Sequence, residues 1–344
     1  MTILYIVVAV LVLSLLVLAH EAGHFWAARL THMPVKSFNI GFGKKLWSRE
    51  KNGVLYAVRI IPFGGYCAFA DNDDEGAIAN YYRVPVWKRL VMTFSGSLMN
   101  FLLAFVVMVV FCMAGGLQAP VPSIAEVTQD SPAARAGLQV GDKFISINNT
   151  AIGDDYEKLL SIIANSGGKE LYTIVERNGE FVSLMITPML NEREQRYVIG
   201  VTPNGKPYPM AFGQSLSYSF DTMVDVVKSL LQFLGGLFRG QGTNDIASPI
   251  GIVDAMTQQA QQYGLQSFIT IGIFISVNLG LFNLLPIPGL DGSKVIFLVI
   301  EGIRRKPIKP EREGLITAIG FGFFILLFIF LASRDLARLF GWMT

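Results

Sequence analysis

Four runs of apolar residues, separated by charged or broken stretches, organise this chain. They run from Ile3 to Ala19, from Leu90 to Gly116, from Phe268 to Leu285 with a resumption at Val295–Ile303, and from Leu315 to Ala332. About 20 helical residues cross a bilayer core. Each run therefore predicts a transmembrane helix, with bounds at 1–30, 88–116, 267–303 and 314–333. The third span is broken by Pro286, Pro288, Gly289 and Gly292. Irregular backbone at membrane depth is tolerated only where it lines protein or a water-filled cavity.

Elsewhere the pattern is that of smaller elements. Phe38–Trp47 and Leu55–Ile61 are strand-like around Asn52-Gly53, a hairpin signal within 36–70. The hairpin is either membrane-associated on the cytoplasmic side or purely cytoplasmic. Between the second and third runs, Ser131-Pro132 and Gly137 bracket a short helix, and Lys143–Asn148 alternates as a strand does. Asp154–Asn165 carries a helical stripe, and Asn178-Gly179 joins strands at Leu171–Glu176 and Phe181–Thr187. These predict a small α/β domain over 120–190, followed by a segment at 191–265. Within that segment, Leu216, Phe220, Val224, Val227, Leu231, Leu234 and Phe238 form the stripe of an amphipathic helix at 211–238. It lies on the membrane or packs on the α/β domain.

Composition agrees with the spans. The 344 residues are 52% hydrophobic and 16% charged, against roughly 25% charged in soluble domains. A net charge of +2, without basic runs interleaved with aromatics, excludes nucleic-acid binding. Lys and Arg concentrate between spans one and two (Lys36 to Arg89) and between spans three and four (Arg304 to Arg312). By the positive-inside rule both loops are cytoplasmic, with both termini and Gln118–Ser267 outside. The first run lacks a basic leader and a good cleavage context, so it is expected to remain as a span.

The candidate chemistry sits at the end of that first run, in His20-Glu21-Ala22-Gly23-His24. Histidines four apart on a helix share a face and can reach one metal ion, with the glutamate between them placed as a general base. A catalytic zinc site needs three protein ligands and an open position. The remaining histidine, His32, reads as an interfacial surface residue. Asp291, the acid that interrupts the third run, lies at a matching membrane depth and is expected to be the third ligand.

The pairing of His-Glu-x-x-His in the first span with Asn283-Leu-Leu-Pro286-Ile-Pro288-Gly-Leu-Asp291-Gly292 in the third resembles the site-2 protease family of intramembrane zinc metalloproteases. The Ser131–Asn148 pattern resembles a PDZ domain of the bacterial protease-associated kind. Gly41-Phe42-Gly43 and Pro62-Phe63-Gly64-Gly65-Tyr66 match that family's membrane-embedded hairpin, and Ser248-Pro249-Ile250-Gly251-Ile252 its segment before the third span. Ser97 stands where the family usually has Pro, although Gly96 and Asn100 remain; a Gly is missing between Ser248 and Pro249; only one PDZ-like unit is present.

The resemblance implies a polytopic α-helical membrane protein with four transmembrane helices, a membrane-associated β-hairpin and an extracytoplasmic PDZ-like α/β domain. It implies one Zn²⁺ on His20, His24 and Asp291, with Glu21 catalytic. Asn283, Gly41, Phe42, Gly43, Gly64 and Gly65 are expected at the substrate, though Asn283 could equally stabilise the broken helix. Implied partners are single-span membrane proteins, such as anti-sigma factors or signal-peptide remnants, in the lipid bilayer of a bacterial cytoplasmic (inner) membrane. A zinc-binding transporter and a PDZ-presenting scaffold are the alternatives. No repeats or further intramembrane acids favour transport, and an intact Glu21 speaks against a scaffold.

Overall fold

The computed structural model describes residues 2–69, 81, 83–192, 195–237, 239–240 and 248–339. The chain divides into two compact units, Met1–Phe111 with Ala211–Thr344, and Cys112–Met210.

In the first unit four helices are long and apolar enough to cross a membrane. They are α1 (Thr2–Leu30), α2 (Val86–Met113), α7 (Gln266–Asn283) and α9 (Pro310–Leu339). Val and Ile are weak helix formers in water, but lipid offers the backbone no other hydrogen-bond partner. Burial in these helices is inverted relative to a soluble bundle. Leu11, Leu15, Phe321 and Leu326 are exposed, while Ala9, Gly23, Ala27 and Ala28 of α1 are buried. Large apolar groups face outwards and small residues let helices approach. A Cβ on Gly23 would lie 2.3 Å from the Ser95 carbonyl oxygen, so α1 and α2 meet backbone to backbone there.

The hairpin is present as β1 (Ser37–Lys51) and β2 (Val54–Ala68). Asn52 and Gly53 both have positive φ, 53° and 73°, as a type I′ turn demands. The strands are longer than the sequence suggests: β2 continues beyond the expected end at Ile61, through Pro62 and Gly64-Gly65 to Ala68. Ser37–Ile40 pairs on two sides, with Leu55–Val58 and with Gly65–Ala68. That leaves Gly65–Ala68 as an outer strand.

The second unit is an antiparallel sheet with two short helices. Its elements are β3 (Gln118–Val127), α3 (Pro132–Ala136), β4 (Lys143–Ile147), β5 (Thr150–Ala151), α4 (Tyr156–Ala164), β6 (Leu171–Arg177), β7 (Glu180–Ile186), β8 (Met189–Asn191), β9 (Arg196–Val198) and β10 (Val201–Pro207). The main sheet has the order β10-β3-β4-β6-β7, with β5 on β4. Ile124, Phe144, Ile147, Leu159, Val175 and Ile186 form its core. Ser131 caps α3 by accepting from Ala134 N–H, and Asn178-Gly179 turns β6 into β7 as expected. The expected boundary at 190 is corrected: β10, from the segment assigned beyond the domain, completes the sheet. Its Pro203 cannot donate to a ladder, which argues against a strand from sequence, but β10 is an edge where one missing donor is tolerated.

Buried Asp142 braces this unit. It accepts from Arg177 Nε at 2.8 Å and Nη2 at 2.7 Å, and from Gln139 N–H at 2.9 Å. Burial alone would raise its pKa, but the Arg177 hydrogen bonds and the Gln139 amide together hold it below the usual carboxylate range. A depressed folded pKa stabilises above the unfolded value near 3.8 and is lost as pH falls through the folded one. Arg177→Met should therefore cost about 2–3 kcal/mol near neutrality and progressively less as pH falls below the unfolded value near 3.8. Hydrogen exchange of the β4 and β6 amides, followed against pH, measures both.

Two helices outside the spans join the first unit. α5 (Phe212–Leu237) and α2 face each other across an open apolar cleft of about 460 Å³, lined by Phe220, Met223, Val224 and Val227 on one side and Leu98, Phe101, Leu102 and Phe105 on the other. The buried positions are Ser215, Ser219 and Leu230, whereas Phe220 and Leu231 are exposed. Phe238, the last residue of the expected stripe, lies outside the described residues. Small side chains such as these serines let neighbouring helices approach closely. α6 (Pro249–Tyr263), not foreseen as a helix, starts at the Ser248 cap, and Ser248 N–H donates to Asp335 of α9 at 2.8 Å. Met256 and Ala260 of α6 pack with Ala9 of α1.

Candidate metal centre

α1 holds His20 and His24 on its buried face one turn apart, both only 6% exposed. α7 stops at Asn283, the Pro286–Leu290 stretch turns, and α8 (Asp291–Arg304) begins with Asp291 itself. Gly292 permits that turn, since a Cβ there would lie 2.2 Å from the Leu285 carbonyl oxygen. The break thus delivers Asp291 to the histidines. Its Oδ2 is 3.0 Å from each Nε2, and the two Nε2 atoms are 3.1 Å apart. Among the described residues this is the one group of three or more His, Cys, Asp or Glu that could hold a metal.

Two nitrogens and one carboxylate oxygen are a zinc donor set. Their spacing is close to the ~3.3 Å that tetrahedral bonds of about 2.0–2.1 Å impose. α2 supplies the wall behind them. Gly96 lies so near that a Cβ would sit 2.4 Å from His24 Nε2 and 2.8 Å from His20 Nε2. His24 Nδ1 donates to the Met92 carbonyl at 2.8 Å, the backing that a ligating histidine requires.

Glu21 shares the place without joining the triangle. Its Oε2 accepts from the backbone N–H of Cys67 at 3.0 Å, which ties α1 to the outer strand of the hairpin. A cavity of about 490 Å³ opens on the centre, lined by the three donors, Glu21, Tyr66, Cys67, Asn283, Lys294 and Phe321 among others. Lys294 Nζ is 3.7 Å from Asp291 Oδ1, the oxygen turned away from the histidines. Further out, Arg89 of α2 makes a two-pronged ion pair with Glu301 of α8. Arg89 is 1% exposed, so this pair pins the far end of the helix that presents Asp291.

The structure brings His20, Glu21, His24, Asp291 and Asn283 to one cavity. Gly41, Phe42, Gly43, Gly64 and Gly65 are not among its lining residues. Phe42 instead stacks on Tyr66, with ring centroids 5.9 Å apart, and Tyr66 and Cys67 reach the cavity. Gly41 and Gly43 have φ of 81° and 85° and shape the bend of β1. Sequence reasoning missed Tyr66, Cys67 and Lys294. It noted Gly96 and Asn100 only as motif letters, because no signal along α2 links them to the histidines of α1. His32 is exposed, as expected.

A carboxylate and two imidazoles converging inside apolar helices, with a second carboxylate beside them, define a membrane metallohydrolase centre. Residues 8–327 match Peptidase family M50. The chain belongs to that family and is a membrane zinc metalloprotease, with zinc as its cofactor. It is 28% identical to the regulator of sigma-W protease RasP of Bacillus subtilis, covering 97% of this chain and 99% of the relative. It is 29% identical to the zinc metalloprotease RasP of Shouchella clausii, covering 96% and 98%. A PDZ domain of an SdrC-like protein from Listeria monocytogenes aligns with 24% of this chain and 86% of its own, at 21% identity and a TM-score of 0.22.

Proposed function

We propose that this protein hydrolyses peptide bonds within or near the transmembrane segments of single-span membrane proteins, with His20, His24 and Asp291 as zinc ligands and Glu21 as general base. The convergence of these residues between membrane-length helices carries the reading. Zinc, when bound, supplies Lewis acidity to the scissile carbonyl and the attacking water. Glu21 takes the proton of that water and returns it to the leaving amine. The Cys67 N–H keeps the Glu21 carboxylate on the cavity side. Lipid and helices exclude bulk water, so the cavity admits only what the polar edge beside it can bind.

A helical substrate shields its own amides and must unwind before it is cut. The outer strand Gly65–Ala68 supports a way to hold the unwound segment. β1 pairs with one of its edges, and the other edge carries the Cys67 N–H towards Glu21. An extended substrate adding along that edge would have its freed amides paired next to the centre. Asn283, at the end of α7, would offer a further polar contact. The distribution of Lys and Arg supports cytoplasmic loops between spans one and two and between three and four. Both termini and the PDZ-like domain would then be extracytoplasmic, in a bacterial cytoplasmic membrane. The sigma-W regulator among the relatives makes anti-sigma-factor-like proteins the substrates to try first.

Metal removal tests the reaction. In vesicles holding a single-span substrate, 1,10-phenanthroline should abolish cleavage and added zinc should restore it. Unchanged cleavage by the stripped protein contradicts the proposal.

A further inference from the structure

Met92, Gly96 and Asn100 are spaced four apart and share one face of α2. That face is matched to the two histidines of α1 in opposite order. His24 Nδ1 meets the Met92 carbonyl at 2.8 Å, and His20 Nδ1 meets the side-chain amide of Asn100 at 3.4 Å. Gly96 fits between, against both Nε2 atoms.

An imidazole that gives Nε2 to a metal keeps its proton on Nδ1, so Nδ1 must find an acceptor. Met92 supplies one to His24. For His20 the group in reach is the Asn100 amide, whose Nδ2 stands nearest. Its Oδ1 is buried without a hydrogen-bond partner, on a residue that is 0% exposed. Half a turn of the amide exchanges oxygen and nitrogen with little steric change and gives both Oδ1 and the Nδ1 proton a partner. The backbone there is already fixed, because Ser276 Oγ of α7 donates to the Asn100 carbonyl at 2.9 Å.

We propose that Asn100 is a positioning residue: its side-chain oxygen accepts the Nδ1 proton of His20 and so aims Nε2 at the metal. The proposal rests on the zinc-protease reading and extends it to α2. An acceptor, rather than an amide as such, is what position 100 must provide.

The test compares wild type, Asn100→Asp, Asn100→Leu and His20→Ala, each as the full chain in detergent. Zinc retention is measured against a competing chelator, and the visible spectrum is recorded after cobalt replacement. Asn100→Leu, of similar volume but with no acceptor, should bind zinc about 10–100-fold more weakly and shift the cobalt bands. Asn100→Asp keeps the oxygen and should hold zinc at least as well as wild type, with wild-type-like bands.

Wild-type retention in Asn100→Leu would overturn the proposal. So would loss of zinc in Asn100→Asp, whose carboxylate presents an acceptor oxygen to His20 in either rotamer. The Asp variant decides alone should Asn100→Leu fail to fold. If wild type and His20→Ala hold zinc equally, the underlying metal assignment is what fails.

Discussion

Glu21→Gln should leave zinc bound and lower cleavage of a single-span substrate by about 10²–10⁴-fold. The substitution keeps the volume, and the amide oxygen can still accept from Cys67 N–H, so the tie between α1 and the hairpin survives. What disappears is the capacity to take a proton from water and deliver it to the amine. The metal ligands are untouched, since Glu21 is not one of the three converging donors. Zinc content and cleavage rate measured on the same preparation separate the two effects. Asp291→Ala is the complementary control and should lose zinc together with activity. Full activity in Glu21→Gln would remove the general-base assignment.

Gly96→Ala should be nearly as damaging, although it adds a single methyl group at a position with no chemistry of its own. The added carbon would lie 2.4 Å from both Nε2 and Cε1 of His24. The nearest atoms are ring atoms held on a packed helix and backed by the Met92 carbonyl, so the imidazole has little freedom to yield. Relief requires α1 and α2 to separate or the donors to leave their triangle. Zinc affinity should fall by at least about 100-fold. Gly235→Ala on α5, where an added Cβ meets nothing within 4 Å, should bind zinc normally and gain up to about 1 kcal/mol from helix propensity. Chelator competition on the two variants measures the contrast. Normal zinc binding by Gly96→Ala would show that the α1–α2 contact is softer than its geometry implies.

Much of this was legible in the residue order because its causes are local. Run length alone specifies a span. His20 and His24 share a face through helical periodicity, Asn52-Gly53 and Asn178-Gly179 carry their turn geometry in their own backbone preferences, and Ser131 and Gly137 bracket a helix by capping. Asp291 stood out because an acid among prolines and glycines in an apolar run is costly unless it is used.

Other features depended on partners distant in sequence. Pro203 argues against a strand until β10 is known to be an edge, and β2 is expected to end at Ile61 until β1 is seen to pair with it twice. The buried positions of α5 include Ser215 and Ser219 rather than its large apolar residues, because small side chains let neighbouring helices approach closely. Nothing local to Gly96, Asn100 or the Met92 carbonyl shows that they lie against His20 and His24. The sequence by itself singled out His20, Glu21, His24 and Asp291. Only the packing of α2 against α1 decided what holds them in place, because backing a ligand is a through-space relation between helices, and no pattern along one helix encodes it.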